Sequence, residues 1–319
     1  MKAQVFAQSL PTVEVNNNTH SVNGGDGESK AAADLLLATR GEVQWSSREV
    51  DGRKIDIEFS AEHPWYEKEN FSLNFQVKAG HSYVNHKPTN MLFAPNSQLF
   101  KSIQRQSDKI GLIWVDPDKN TSQWCLIRPN SKYMSKGYGV HHKITPATLY
   151  DLARCYGRDL NKPKHGQGIC ISRKPRNLKV LRSIAMNSYY GNKVVLSPVL
   201  GEIKFTRLGW RHMFRKSRRE DYKETSLQVI PRLGKLLEHI PREHIVHSTK
   251  YYSIGDFEYR ECEHVMSFTQ VKDADNNYLN VTVKVLEYVR YPKNWKERSY
   301  LTQLVQRETR LLSAYILEG

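Results

Sequence analysis

Lys54-Ile-Asp-Ile-Glu-Phe59 and Leu73-Asn-Phe-Gln-Val-Lys78 decide how this chain is read. Both stretches alternate polar and apolar residues, the period of a strand with one buried face. Alternation predicts Asp56 and Glu58 on one face of the first strand, and Gln76 and Lys78 on one face of the second. Ile55, Ile57, Phe75 and Val77 then turn the other way, into a core. If the strands pair, two carboxylates, an amide oxygen and an ammonium converge. That grouping suits a divalent cation and a water poised to attack a phosphodiester. The plainer alternative is an amphipathic hairpin with a solvated polar face, which antiparallel sheets often carry.

Around these strands lie a helix-like stretch from Glu28 to Ala38 and the motifs Val50-Asp-Gly-Arg-Lys-Ile-Asp-Ile-Glu58 and Phe75-Gln-Val-Lys-Ala-Gly80. Two apolar strands follow, Ile110-Gly-Leu-Ile-Trp-Val115 and Gln123-Trp-Cys-Leu-Ile127. In this order the motifs resemble the PD-(D/E)xK nuclease superfamily. Within it they are similar to a bacterial domain family of formally unknown function related to Mrr-type restriction endonucleases, with Gln in place of Glu in the ExK triplet. The resemblance covers roughly Glu28 to Tyr156. It implies a restriction-endonuclease-like α/β core with Asp56 as a direct ligand of Mg²⁺ or Mn²⁺. The Gln76 amide oxygen and the Val77 backbone carbonyl would be further ligands. Lys78 would orient or help deprotonate the attacking water, and Glu28 would be the outer carboxylate. Gln76 departs from the family pattern. A neutral amide binds a hard cation less well than a carboxylate, so weak metal affinity or one-metal catalysis is expected.

The 319 residues are long enough for two domains. The formal charge of +15 is unevenly spread: residues 161–319 carry 29 Lys and Arg against 16 Asp and Glu. Such a bias points to an anionic partner, foremost nucleic acid, although a generic basic surface would look the same. Cys125, Cys155, Cys170 and Cys262 form no CxxC pair, which argues against structural zinc and fits a reducing, cytoplasmic setting. No apolar run reaches transmembrane length, and no membrane partner is expected.

Residues 1–27 read as a flexible lead-in and residues 28–160 as the α/β domain. Residues 161–176, rich in Gly, Pro and basic side chains, read as a linker. Residues 177–319 read as an α+β domain with an antiparallel sheet. Its elements are a helix from Asn177 to Tyr190, strand-like segments at Lys193–Leu196 and Gly201–Thr206, and a helix from Glu224 to Ile240 that Pro231 should kink or split. Strands at Lys250–Ile254, Phe257–Gln270 and Leu279–Arg290 follow, with Asp275-Asn-Asn277 as a hairpin turn. A terminal helix is expected over Ser299 to Leu317.

Between them lies Gly209-Trp-Arg-His-Met-Phe-Arg-Lys-Ser-Arg-Arg219. On a helix, His212, Arg215 and Arg219 would share a face, as would Arg211, Arg215 and Arg218. An imidazole beside guanidiniums suits metal-free RNA cleavage; a solvated basic helix is the plainer reading. Gly201, Ile203, Phe205, Thr206, Gly209, His212 and the Leu227–Leu237 helix with Pro231 make this half similar to phage- and plasmid-borne relatives of the barnase, EndoU, colicin-type and RelE nucleases. That resemblance implies a metal-independent RNase with no cofactor, His212 and Arg215 as catalytic groups, and Arg211, Lys216, Arg218 and Arg219 binding nucleic acid. His247, Tyr259, Glu261, Tyr300 and Thr302 are candidates for a contribution from the later sheet. Together the two halves suggest a cytosolic nuclease of the kind found in phage defence or toxin systems. The alternative is a non-catalytic nucleic-acid-binding protein in which Gln76 marks a decayed site.

Overall fold

The structure, a computed structural model, describes residues 19–46, 55–83, 95, 97–104, 110–116, 121–127, 142–160, 164–172, 177–297 and 305–317. It is a mixed α/β architecture built on two sheets. The first is assembled from β1 (Glu42–Trp45), β2 (Ile57–Glu62), β3 (Asn70–Ala79), β4 (Ile110–Asp116) and β5 (Thr121–Ile127), in the order β1-β2-β3-β4-β5. Only the β3–β4 pair is parallel. A parallel pair needs a crossover, and α2 (Ser97–Gln104) lies in that connection.

β4 is buried along its length, and apolar up to Asp116, because both its faces are covered. Ile113 and Val115 join a core with Ala31 and Leu35 of α1 (Thr19–Thr39). Leu112 and Trp114 join a second cluster with Leu99 and Phe100 of α2. α1 begins at Thr19, inside the stretch expected to be a flexible lead-in. Its close approach to β3 explains why: a Cβ on Gly27 would lie 2.6 Å from the Ala79 Cβ, so glycine is what lets the helix seat there.

The second sheet has six strands in the order β6-β7-β11-β10-β9-β8. These are β6 (Val194–Ser197), β7 (Gly201–Lys204), β8 (Glu243–Ile254), β9 (Phe257–Lys272), β10 (Tyr278–Pro292) and β11 (Gln306–Leu317). β7 and β11 pair parallel and the other neighbours antiparallel. The antiparallel character expected from the sequence holds for all but that one pair.

β11 replaces the helix expected over Ser299–Leu317; residues 298–304 lie outside the described residues. Gln306-Arg-Glu-Thr-Arg-Leu-Leu is rich in helix formers, but Thr309 and Leu311 are buried while their neighbours are half-exposed. Pairing with β10 along its length, and with β7 at Arg310, gives its backbone partners, and that tertiary context overrides propensity.

Among the described residues four helices belong to this half: α4 (Leu178–Gly191), α5 (Arg207–Met213), α6 (Glu220–Val229) and α7 (Leu233–Leu237). Asn177 caps α4, its side chain accepting from the Lys179 N–H at 2.9 Å. Pro231 sits in a 3₁₀ turn, Ile230–Arg232, that splits α6 from α7, the break its missing N–H predicts.

The halves do not stand apart. α3 (Thr148–Leu160) packs with Val289, Tyr291 and Trp295 in the core that also holds Phe59 and Phe75. Lys296 reaches Asp34 of α1 at 2.9 Å. Within the stretch read as a linker, Ile169 and Ile171 enter the second core, and the Ile171 N–H donates to the Lys272 carbonyl at 2.8 Å. No helix among the described residues is long and apolar enough to cross a membrane.

Candidate functional site

Two constellations combine polar chemistry with defined geometry. The first lies where β2 ends against β3. The Asp56 N–H donates to the Phe75 carbonyl at 2.9 Å, as in a ladder. One step on, the Asp56 carboxylate takes the place of a backbone acceptor: the Val77 N–H donates to its Oδ2 at 2.6 Å. The Lys78 ammonium lies 3.8 Å from the same oxygen. In a strand a residue's N–H and C=O leave on the same edge, so the Val77 carbonyl points toward the Asp56 side. Gln76 is 5% exposed, and its Oε1 is buried with no hydrogen-bond partner among the described residues.

An orphaned buried amide oxygen is costly. With the Asp56 carboxylate and the Val77 carbonyl on the same strand pair it offers oxygen donors of the kind a hard cation takes, so the chemistry of these residues fits Mg²⁺ or Mn²⁺. Glu28 is half-buried on α1, which covers the Val77 and Ala79 face of the sheet. Gln76 and Lys78 pair in register with Leu112 and Trp114 on the α2 face, so Glu28 approaches from the opposite side. Ile55, expected to share a core with Ile57, joins the α2 cluster instead. β2 starts at Ile57, and the side chain of Asp56 replaces the ladder there, so alternation no longer holds at Ile55.

The second constellation is a cleft of about 240 Å³ lined by His212, Arg215, Arg218, Tyr222, Lys284 and Tyr315, with Ser313 at its floor. A continuous basic helix does not form it. α5 ends at Met213, where the Phe214 ring lies back against Trp210 at 4.5 Å, and α6 starts only at Glu220. The intervening turn, closed by the Arg218 N–H donating to the Arg215 carbonyl at 3.1 Å, folds Arg215 and Arg218 toward His212. Arg211, Lys216 and Arg219 are exposed outside the cleft, and Arg219 is paired with Asp221.

A bulge in β11 completes the cleft. Lys284 faces Ser313 but Val285 faces Leu311, leaving Leu312 as the extra residue. Ser313 and Tyr315 are thereby turned to the cleft while Ala314 stays in the core. The bulged Leu312 backbone is hydrogen-bonded to the His212 ring, a bond that favours the charged imidazole and so has the ring donating. His212 Nδ1 is buried and has no hydrogen-bond partner among the described residues. Burial, then Arg215, lower the His212 pKa and favour the neutral ring.

Arg218 lies over the rings of Tyr315 and Tyr222 at 5.3 and 5.8 Å. Lys284 pairs with Glu263 at 2.8 Å, which outweighs burial and holds that carboxyl below the usual range. Sequence reasoning missed Lys284, Ser313, Tyr222 and Tyr315. Glu261 and Tyr259 lie farther along β9, Glu261 paired with Lys250 and Tyr259 stacked on Tyr252. Tyr300 and Thr302 lie outside the described residues.

A third cluster is buried between α3 and the second sheet. Arg260 is bound to Asp151 and, at 3.0 Å, to Glu287; Arg307 donates to the other Glu287 oxygen at 2.7 Å; Arg154 donates to Asp151 at 2.7 Å. Burial opposes charge on Asp151 and Glu287, but the guanidiniums outweigh it and hold both carboxyls below the usual range. Cys262, His264 and Glu287 bring donor atoms within 4.8 Å of one another. The three would suffice in number for a metal, but both Glu287 oxygens are engaged and a cation would face three guanidiniums. The set fits a structural ion network better.

The network sets the acid limit of stability. Burial, then Arg154, push His264 down to about 4, and burial alone pushes His63 to about 4. The folded protein thus resists protonation that the unfolded chain accepts near 6.5. Their stabilisation is full above that pH and is lost as pH falls through 6.5 toward 4, on the order of 3 kcal/mol for His264. Asp151 and Glu287 extend the loss below about pH 4.5. Unfolding midpoints measured across this range should fall steadily; a flat profile between pH 6.5 and 4.5 would contradict the assignment.

Compared with family models, curated proteins and solved structures, the chain matches none of them.

Proposed function

We propose that this protein is a nuclease. The observation that carries the reading is the convergence of the His212 imidazole with Arg215, Arg218 and Lys284 in one cleft. The chemistry it supports is metal-free cleavage of RNA. The His212 imidazole takes the proton of the 2′-hydroxyl, and that oxygen attacks the adjacent phosphorus. The bond to the 5′-oxygen breaks, and a hydroxyl of Tyr222 or Tyr315 supplies its proton. Arg215, Arg218 and Lys284 meet the charge that builds on the phosphate. The products are a 2′,3′-cyclic phosphate and a 5′-hydroxyl.

A second site of the same class is favoured by the orphaned Gln76 oxygen. Asp56, Gln76 and the Val77 carbonyl would hold Mg²⁺ or Mn²⁺, which supplies Lewis-acid activation of water and phosphate when bound. Lys78 would orient the water and offset phosphate charge. The order of α1 and the mixed first sheet is consistent with a restriction-endonuclease-like core.

The test is to incubate the full-length protein with total RNA, single-stranded DNA and plasmid DNA, each with Mg²⁺, with Mn²⁺ and with EDTA. RNA should be cut in EDTA while DNA is spared, and any DNA cleavage should require the cation. Lys78→Ala should abolish the cation-dependent cleavage and leave the thermal midpoint nearly unchanged, since a partly exposed ion pair adds little stability. Binding without cleavage under every condition would favour a nucleic-acid-binding protein without catalysis.

A further inference from the structure

The six-stranded sheet buries one face and leaves the other open. Along β9 and β10 buried and half-exposed residues alternate; among the described residues the helices pack on the buried side, and α5 and α6 also reach the open side where they line the cleft beside Lys284, Ser313 and Tyr315. The open side is ordered in cross-strand rows. Tyr252, Tyr259 and Arg290 form one row; Lys250, Glu261, Tyr288 and Glu308 form the next; Leu286 and Arg310 follow, and Lys284 then enters the cleft.

Aromatic rings and cations are interleaved along this run. Tyr252 and Tyr259 stack with 3° between their planes, and Tyr252 is 40% exposed. Arg310 lies 5.3 Å over Tyr288, and Arg290 lies 4.2 Å over Phe257. Most cations on this face, Lys284 among them, are paired with Glu261, Glu263 or Glu308, and the Arg215 and Arg218 guanidiniums lie at the cleft end. From Lys284 to Arg290 the strand runs about 20 Å at ~3.4 Å per residue.

We propose that this face is a stacking platform for single-stranded nucleic acid, which lays its bases on Tyr252, Tyr259 and Tyr288 and leads its backbone toward the Arg215, Arg218 and Lys284 cleft. The identification of the occupant rests on the nuclease reading; the platform itself rests on the open, ring-bearing sheet. Flat rings accept any base, whereas a duplex hides its base faces. A duplex-binding surface would instead present unpaired cations to two backbones, and here the carboxylates neutralise most of them.

The experiment uses the full chain in EDTA, with labelled 2′-O-methyl oligouridylate, which cannot form the cyclic phosphate, oligodeoxythymidylate, and a DNA duplex of the same length. Both single strands should bind more tightly than the duplex. Tyr252→Ala, Tyr259→Ala and Tyr288→Ala should each weaken single-strand binding about 5- to 150-fold, the range of one lost base stack. Tyr259→Phe should retain affinity, because the ring and not the hydroxyl does the stacking.

Photocrosslinking of 5-bromouracil oligonucleotides to the unmodified protein needs no variant to fold, and should map to peptides bearing these tyrosines. Duplex binding equal to single-strand binding, affinity indifferent to the alanines, or crosslinks confined to other surfaces would overturn the platform. So would a dimer that Tyr259→Ala dissolves without changing oligonucleotide affinity, since that assigns the face to a second copy. Tyrosine-dependent binding without cleavage would sink the nuclease reading alone; cleavage with tyrosine-independent binding would sink the platform alone.

Discussion

His212→Ala is expected to slow RNA cleavage in EDTA by about 10²–10⁴, the usual worth of a positioned proton-transfer group. Oligonucleotide affinity should change little, because neutral His212 adds no charge to the cleft. The fold should survive, since the side chain is only half-buried. The pH profile of kcat/KM carries a second signature. The base must be neutral, so activity falls on the acid side, with a limb below the ordinary histidine value of 6.5 because burial and Arg215 disfavour the charged ring. Arg215→Ala should weaken binding and turnover and also move that limb to higher pH. A merely structural histidine would not produce such a shift. Cleavage by His212→Ala at the wild-type rate would remove His212 from the chemistry.

Glu287→Gln is expected to destabilise the fold by about 3–5 kcal/mol, the cost of stripping one partner from a buried ion network. Glu287 is fully buried, and its oxygens answer Arg260, Arg307 and His264, with Arg154 3.6 Å away. The amide keeps the volume but leaves those guanidiniums facing one another. Urea unfolding checks this directly. A paired replacement, Glu287→Leu with Arg260→Met, should lose less than the sum of the single changes, because apolar groups of similar volume leave no charge unpaired. Glu287→Gln unfolding at the wild-type urea midpoint would mean that the network does not hold the halves together.

The same network bears on separating the halves. Charge alone suggests that residues 161–319 could bind nucleic acid independently. Cutting there removes Asp151 and Arg154 from Arg260 and Glu287, and uncovers Val289, Tyr291 and Trp295. Binding and cleavage are therefore to be measured on the whole chain.

Short-range patterns in the sequence determined a good part of this protein. The alternation in residues 57–59 and 73–78, the cap at Asn177, the break at Pro231 and the turn at 273–277 each depend on a few neighbouring side chains and backbone groups, which the sequence displays directly. Asp56, Gln76 and Lys78 were legible as neighbours for the same reason. Periodicity reports which face a residue occupies, but not which strand lies beside it. Lys284, Ser313 and Tyr315 enter the cleft only through the β10–β11 register and the bulge at Leu312. Arg260 meets Asp151 across 109 residues of chain. Ser299–Leu317 favours a helix in isolation, yet its described portion, Gln306–Leu317, becomes a strand because the gap between β7 and β10 supplies hydrogen bonds and a buried face. Those outcomes are set by long-range pairing, whose energy exceeds local propensity and which local pattern does not encode.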